Sequence, residues 1–188
     1  MCKFCDITNA TDVNPFSGEE MQGFVDDVWK GLNTPNNLSR LMYNKTADKL
    51  SEGLRLGLSI SASGVPEADP KFRLAKDLQQ NIFRFSGAKT YQQTVELNNL
   101  LIGSDGVTRT FGQFQKEAKK VLNKFNGHHL AAEYQRAVAG SQQAQLWDKI
   151  QETKEFLPLL QYQTAGDDRV RPTHKALDNI VRPVDDPF

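Results

Sequence analysis

The sequence predicts an α+β protein: a mostly helical N-terminal region followed by a small sheet-containing C-terminal domain. Three observations carry that expectation. Apolar residues recur at three- and four-residue spacing over roughly the first 155 positions, the period of helices with one buried stripe. Past Pro158 the pattern changes, and "LLQYQTAG" and "IVRPV" are short segments rich in strand formers. Between helical stretches, "SISASGVPEADP" is a Ser/Gly/Pro linker, which places an internal boundary there. The chain is accordingly divided into an N-terminal helical region at 1–62, a central helical region at 63–128 and a C-terminal domain at 129–188.

Each element has its own signal. Ser17 is an N-cap followed by acidic residues, and Met21, Phe24, Val25, Val28 and Leu32 then form the stripe of a first helix, broken at "NTPNN". A second helix carries Leu38, Leu41, Met42, Leu50, Leu54 and Leu58, and Gly53 and Gly57 are expected to loosen it. Beyond the linker, Phe72, Ala75, Leu78, Ile82 and Phe85 line one helical face, with Tyr91, Val95, Leu97 and Leu101 on another helix or its continuation. "GSDGVTRT" is a turn built on Asp105-Gly106. Phe111, Phe114, Ala118, Val121, Leu122 and Phe125 then define a basic amphipathic helix expected to stop at Asn126-Gly127. Two more helices follow, separated or kinked at Gly140-Ser141, the second capped by Ser141 and offering Ala144, Leu146, Trp147 and Ile150 for burial.

Composition narrows the function classes. With 188 residues, 38% of them hydrophobic and 24% charged, the chain is long enough to bury a core. Its 23 basic and 23 acidic residues balance, so general nucleic-acid affinity by counterion release is not expected, and any DNA contact has to be local. No segment approaches the roughly 18 consecutive apolar residues of a membrane span, and the N-terminus lacks a signal-peptide run, so the chain reads as soluble and made in a cytoplasm. The two cysteines, Cys2 and Cys5, supply half of a tetrahedral zinc site at most and are read as reduced thiols.

The chemistry concentrates in "AGDDRVRPTHKALDN". Gly166 followed by Asp167 and Asp168 is turn chemistry. If the next residues are extended, Arg169 and Arg171 point to one side as a two-pronged guanidinium surface and Val170 anchors the other. Pro172 starts a short helix that puts His174 and Asp178 on one face, and Asn179 ends it in a left-handed conformation. One reading of this set is a rigid clasp in which Arg169 and Arg171 pair with Asp168 and Asp178 and His174 is hydrogen-bonded between them. The alternative is a metal-dependent nuclease or hydrolase centred on Asp167, Asp168, His174 and Asp178. Lys116, Lys119, Lys120 and Lys124 read as a solvated helix face, with Lys116, Lys119 and Lys120, beside Arg169 and Arg171, as the phosphate contacts of a DNA-binding alternative. His128 and His129 are boundary residues rather than ligands.

"EYQRAVAGSQQAQLWDKIQE" and "LPLLQYQTAGDDRVRPTHKALDNIVRPVDDPF" together resemble the C-terminal domain of the phage Mu F-like minor head proteins, also called SPP1-type head morphogenesis proteins, from about Glu133 to Phe188. Tyr162, Thr164, Ala165, Asp168, Arg169, Arg171, His174, Leu177, Asp178 and Pro183 fall in the order of the family pattern without gaps. Asn179 stands where the family usually has Gly, a mild departure because Asn also tolerates a left-handed backbone.

The resemblance implies a portal-associated structural protein inside the virion head, present in the host cytoplasm during assembly and acting in head morphogenesis and DNA packaging or delivery. Its implied partners are portal and capsid proteins, with possible contact with packaged DNA and with no membrane or small-molecule substrate. No enzymatic activity and no cofactor are implied. The family pattern continues past Pro187-Phe188 into a segment ending in Cys-x-Cys, so the domain is expected to be truncated here. In a full-length protein those cysteines are candidates to join Cys2 and Cys5 around zinc.

Overall fold

The computed structural model describes residues 13–61 and 64–187. Cys2 and Cys5 therefore lie outside the described residues. The fold is α+β, as the sequence predicts, and 62% helical, so most of its stability has to come from helix packing. The chain forms two compact units, one reaching to Gln142 and the other starting at Gln143.

The first unit is built from helices α1 (Gly18–Trp29), α2 (Arg40–Leu58), α3 (Phe72–Asn99) and α4 (Phe111–Asn123), a π-helical segment (Lys124–His129), and the first part of α5 (Leu130–Thr153). Local chemistry sets the helix starts. Ser17 and Glu20 form a reciprocal capping box on α1, and Thr110 and Gln113 form another on α4. Ser39 caps α2 by accepting from the Met42 amide at 3.4 Å. Glu20 also takes Lys45 of α2 at 2.5 Å, and that contact with the Ser17 amide holds the Glu20 carboxyl below its ordinary value. Between α3 and α4, Ile102 bridges Thr108 across a turn in which Gly106 takes φ +76°, a left-handed conformation that costs glycine nothing.

One core runs through the unit. Phe24, Val25 and Val28 of α1 join Met42, Leu50, Leu54 and Leu58 of α2, Ile82 and Leu97 of α3, Phe114, Ala118 and Leu122 of α4, and Leu130, Tyr134 and Val138 of α5. Trp29 meets Phe111 edge-on and Phe114 at a tilt, with ring centroids 5.5 Å apart in each case. Leu32, Leu41, Phe85 and Tyr91, assigned to buried stripes from spacing, are exposed instead. Leu32 lies in the turn after α1, and Leu41, Phe85 and Tyr91 keep the helical period but fall on exposed positions of their helices.

The segment Phe72–Asn99 is one helix of 28 residues, the continuation that the sequence reading allowed. Two helix ends differ from that reading. The basic helix does not stop at Asn126-Gly127, because the backbone passes through the π-helical turn and straight into α5. Gly140-Ser141 lies inside α5, and Ser141 is no cap: it is buried, with its Oγ donating to the Ala137 carbonyl four residues back at 2.7 Å. The helices α2 and α3 on either side of the linker pack on each other within one unit, and the division into units falls at 142/143.

Gly53 and Gly57 do not loosen α2; they admit α5. A Cβ on Gly57 would sit 2.4 Å from the Val138 carbonyl oxygen and 2.7 Å from Ser141 Cβ, and one on Gly53 would sit 3.2 Å from Tyr134. At Gly57 the α2 backbone lies too close to the Val138 carbonyl for a side chain, and at Gly53 the fit is tight.

In the second unit, the end of α5 is followed by strand β1 (Leu159–Gln161), the short helix α6 (Pro172–Lys175) and strand β2 (Val181–Pro183). The strands pair antiparallel in the register Leu159↔Pro183, Leu160↔Arg182, Gln161↔Val181. Among its described residues only Val184 is a buried hydrophobic, while Leu146, Trp147, Phe156, Leu157, Leu159 and Val181 are exposed. Trp147 and Leu146, offered for burial by the sequence, thus stay on the surface. Burial holds the first unit together; other forces must order the second.

Candidate functional site

The polar tail lies in the loop between β1 and β2, and its residues are ordered by pairwise contacts. Strand pairing brings the two ends of the loop together, with the Tyr162 amide donating to the Ile180 carbonyl at 2.9 Å and the Asn179 amide to the Tyr162 carbonyl at 2.8 Å. Asn179 adopts φ +65°, the left-handed turn expected of it, and its Oδ1 accepts from Gln161 Nε2 at 3.1 Å. Pro172 occupies the first turn of α6, and the Arg171 carbonyl accepts from the His174 and Lys175 amides.

Asp178 is the hinge of the loop. One carboxylate oxygen, Oδ1, accepts both the Thr164 amide at 2.7 Å and the Thr164 hydroxyl at 2.9 Å. These bonds favour the ionised form, so they hold the Asp178 carboxyl below its ordinary value of 3.8, the backbone bond contributing most. On the other side of the loop the Tyr162 hydroxyl and His174 Nδ1 are 2.6 Å apart. Asp167 closes the tip: Oδ1 accepts the Arg169 amide at 3.0 Å, and Oδ2 accepts Arg169 Nη2 at 2.7 Å and Nε at 3.1 Å. Gly166 precedes it with φ +69°.

The tail is therefore a clasp with different partners from those read in the sequence. Arg169 pairs with Asp167, not with Asp168 or Asp178, because residues 167–170 form a turn, with the Val170 amide on the Asp167 carbonyl, rather than an extended strand. Asp178 is engaged by Thr164, and His174 by Tyr162, so His174 does not sit between Arg and Asp. No ion pair joins Asp168 or Arg171 to another described residue. Nor do Asp167, Asp168, His174 and Asp178 converge: among the described residues, no three His, Cys, Asp or Glu side chains stand as a group that can hold a metal ion.

Lys116, Lys119 and Lys120 are exposed on α4 of the first unit, with Lys120 on Glu117 at 2.8 Å, a contact that lowers the Glu117 carboxyl. Lys124 lies over the Phe125 ring at 5.5 Å. His128 and His129 are exposed in the π-helical segment.

A second polar cluster escaped the sequence reading. On α3 the positions between Ile82 and Leu97 that continue the buried stripe are Ser86, Lys89, Thr90, Gln93 and Thr94, all buried. Two of them reach the π-helical segment and the start of α5: Lys89 Nζ pairs with Glu133 and donates to the Phe125 carbonyl at 2.7 Å, and Gln93 Nε2 donates to Asn126 Oδ1 at 3.0 Å. Burial pushes the Lys89 ammonium below its ordinary 10.5, opposed by the hydrogen bond to Glu133. The signal was present in the spacing, since these polar residues occupy the three- and four-residue series expected of a core.

These contacts define an α+β protein with a helical body and a second unit organised by a polar loop. No family model matches the chain, and neither the curated proteins nor the solved structures contain a match to it.

Proposed function

We propose that the chain is a minor head protein of the Mu F-like type: a portal-associated structural component acting in head morphogenesis and in DNA packaging or delivery. The observation that carries a structural rather than catalytic reading is how the tail residues are used. Tyr162 with His174, and Thr164 with Asp178, are pairs 12 and 14 residues apart that close one loop. Residues that share the resemblance thus depend on one another for shape, and two of the carboxylates that a hydrolase would need are engaged, Asp167 by Arg169 and Asp178 by Thr164.

The surface of the second unit supports a docking role. A groove of about 430 Å³ is lined by Trp147, Leu160, Leu177, Ile180 and Val184, and Phe156 beside the sheet is 85% exposed. Portal and capsid proteins are the partners expected to cover it, within the head and during assembly in the host cytoplasm.

The test is sedimentation velocity of the purified chain mixed with the portal and major capsid proteins encoded in the same phage or prophage. Co-sedimentation with the portal is expected. A folded sample that associates with neither protein overturns the reading, as does a divalent-metal-dependent nuclease activity that is lost in His174→Ala while the fold survives.

A further inference from the structure

The loop of the second unit borders a shallow, open recess of about 380 Å³ whose walls include Tyr162, Thr164, Arg169, Arg171 and His174. Asp167, Asp168 and Asp178 are close neighbours in the sequence, yet none of them lines it. The tail is nearly balanced in charge as a sequence, but the fold brings Arg169, Arg171 and His174 to the recess wall, where the one carboxylate engaged is that of Asp167 on Arg169. We propose that this recess is a binding site for a phosphate group.

Part of the donor set is anchored. Arg171 has no ion-pair partner among the described residues, and its backbone is fixed by the two amides of α6 that its carbonyl accepts. Arg169 spends Nε and one Nη2 proton on Asp167, which orients the guanidinium plane and leaves Nη1 unengaged. The Tyr162–His174 bond supplies a further donor in either tautomer. If Nδ1 accepts the phenol proton, Nε2–H is free; if Nδ1–H donates, the phenol proton is free. Thr164 contributes a wall fixed by Asp178.

The geometry favours phosphate over carboxylate. A carboxylate presents two oxygens in one plane, which a single guanidinium fork satisfies. A phosphate group offers oxygens in several directions, enough for two guanidiniums and the imidazole or phenol together. The same chemistry comes from free phosphate, from a terminal phosphomonoester or from a nucleic-acid backbone.

The experiment is a titration of the full chain with inorganic phosphate at constant ionic strength, followed by NMR of the arginine Nε–H and His174 imidazole signals. Saturable shifts at Arg171 and His174 are expected, with affinity at least about tenfold weaker in Arg171→Ala, the loss of one charge-assisted fork. Because the Arg171 side chain is exposed and unpaired, that variant should melt like the parent; Arg171→Gln serves as a second probe. Shifts without saturation, unchanged affinity in both variants, or acetate binding as tightly as phosphate would each overturn the proposal. A 5′-phosphorylated oligonucleotide and its 5′-hydroxyl twin separate the sources. Preference for the phosphorylated end assigns a phosphomonoester, whereas equal binding that falls steeply with salt and still requires Arg171 assigns the backbone diester.

Discussion

The Lys89 ammonium of α3 donates to the backbone carbonyl of Phe125 at 2.7 Å, inside the core, at the place where the α4–α5 rod passes through its π-helical turn. A second bond goes to the Glu133 carboxylate. A buried lysine is costly unless its charge and protons are matched. Here the carboxylate matches the charge, and the carbonyl takes a donor where the helical ladder shifts from four-residue to five-residue spacing.

Removing one partner is therefore expected to cost more than removing both. Lys89→Met leaves Glu133 and the Phe125 carbonyl without their donor, and a loss of about 3 kcal/mol is expected, toward the low end for a broken buried pair because Glu133 keeps some solvent contact. The double variant Lys89→Met/Glu133→Leu should recover to within about 1 kcal/mol of the parent. Urea unfolding of the singles and the double closes the cycle, and additive losses would count against the pairing.

The neighbouring amide pair invites a similar test with a different expected sign. Gln93 Oε1 and Asn126 Nδ2 are buried with no hydrogen-bond partner, although the two side chains bond through their other atoms. Asn126→Leu alone strands Gln93 completely, at about 1–3 kcal/mol. Gln93→Met/Asn126→Leu replaces both and should be neutral or stabilising. Thermal melts of the three proteins decide it.

The close crossing of α2 and α5 predicts a contrast between glycines. Gly57→Ala places a methyl against the Val138 carbonyl and Ser141, and is expected to destabilise by about 1–3 kcal/mol as the helices are forced apart. Gly23→Ala, in α1 with open space around its Cβ, should stabilise by about 0.5–1 kcal/mol because it removes backbone entropy from the unfolded chain. Equal shifts in the urea midpoints would contradict the crossing geometry.

Asp178 gives the loop a defined pH response. Its folded carboxyl titrates below the ordinary value of 3.8, so the unfolded chain binds the proton more readily, and stability rises with pH through that window. The contribution is fully present above about pH 3.8 and is lost as pH falls through the folded value. A ¹³C titration of the Asp178 carboxyl should give a midpoint under 3.8. In Asp178→Asn the Thr164 amide should exchange faster at neutral pH, whereas unchanged protection would remove Asp178 from its role.

Much of this was legible in the sequence where the causes are local. The Ser17 cap, the Asp105-Gly106 turn, the proline start of α6 and the left-handed Asn179 all follow from conformational preferences carried by single residues. The helical stripes were legible for the same reason, since a period depends only on neighbours along the chain. The partners of the polar tail were not. Arg169, Asp167, Asp168 and Asp178 permit several pairings of equal chemical merit, and the turn at 167–170 selects one by bringing Asp167 to the guanidinium.

The sequence by itself determined which segments are helical, that the tail would pair two short strands, and that an Asp/Arg/His-rich loop would join them. Only the tertiary structure decided that Gly57 is a contact and not a weak point, that a lysine could occupy a core position, and that Arg169, Arg171 and His174 come to one recess with Arg169 held by Asp167. The physical reason is common to all three: local propensity acts along the chain, whereas close approach, desolvation and charge pairing depend on residues that meet only once the backbone has folded.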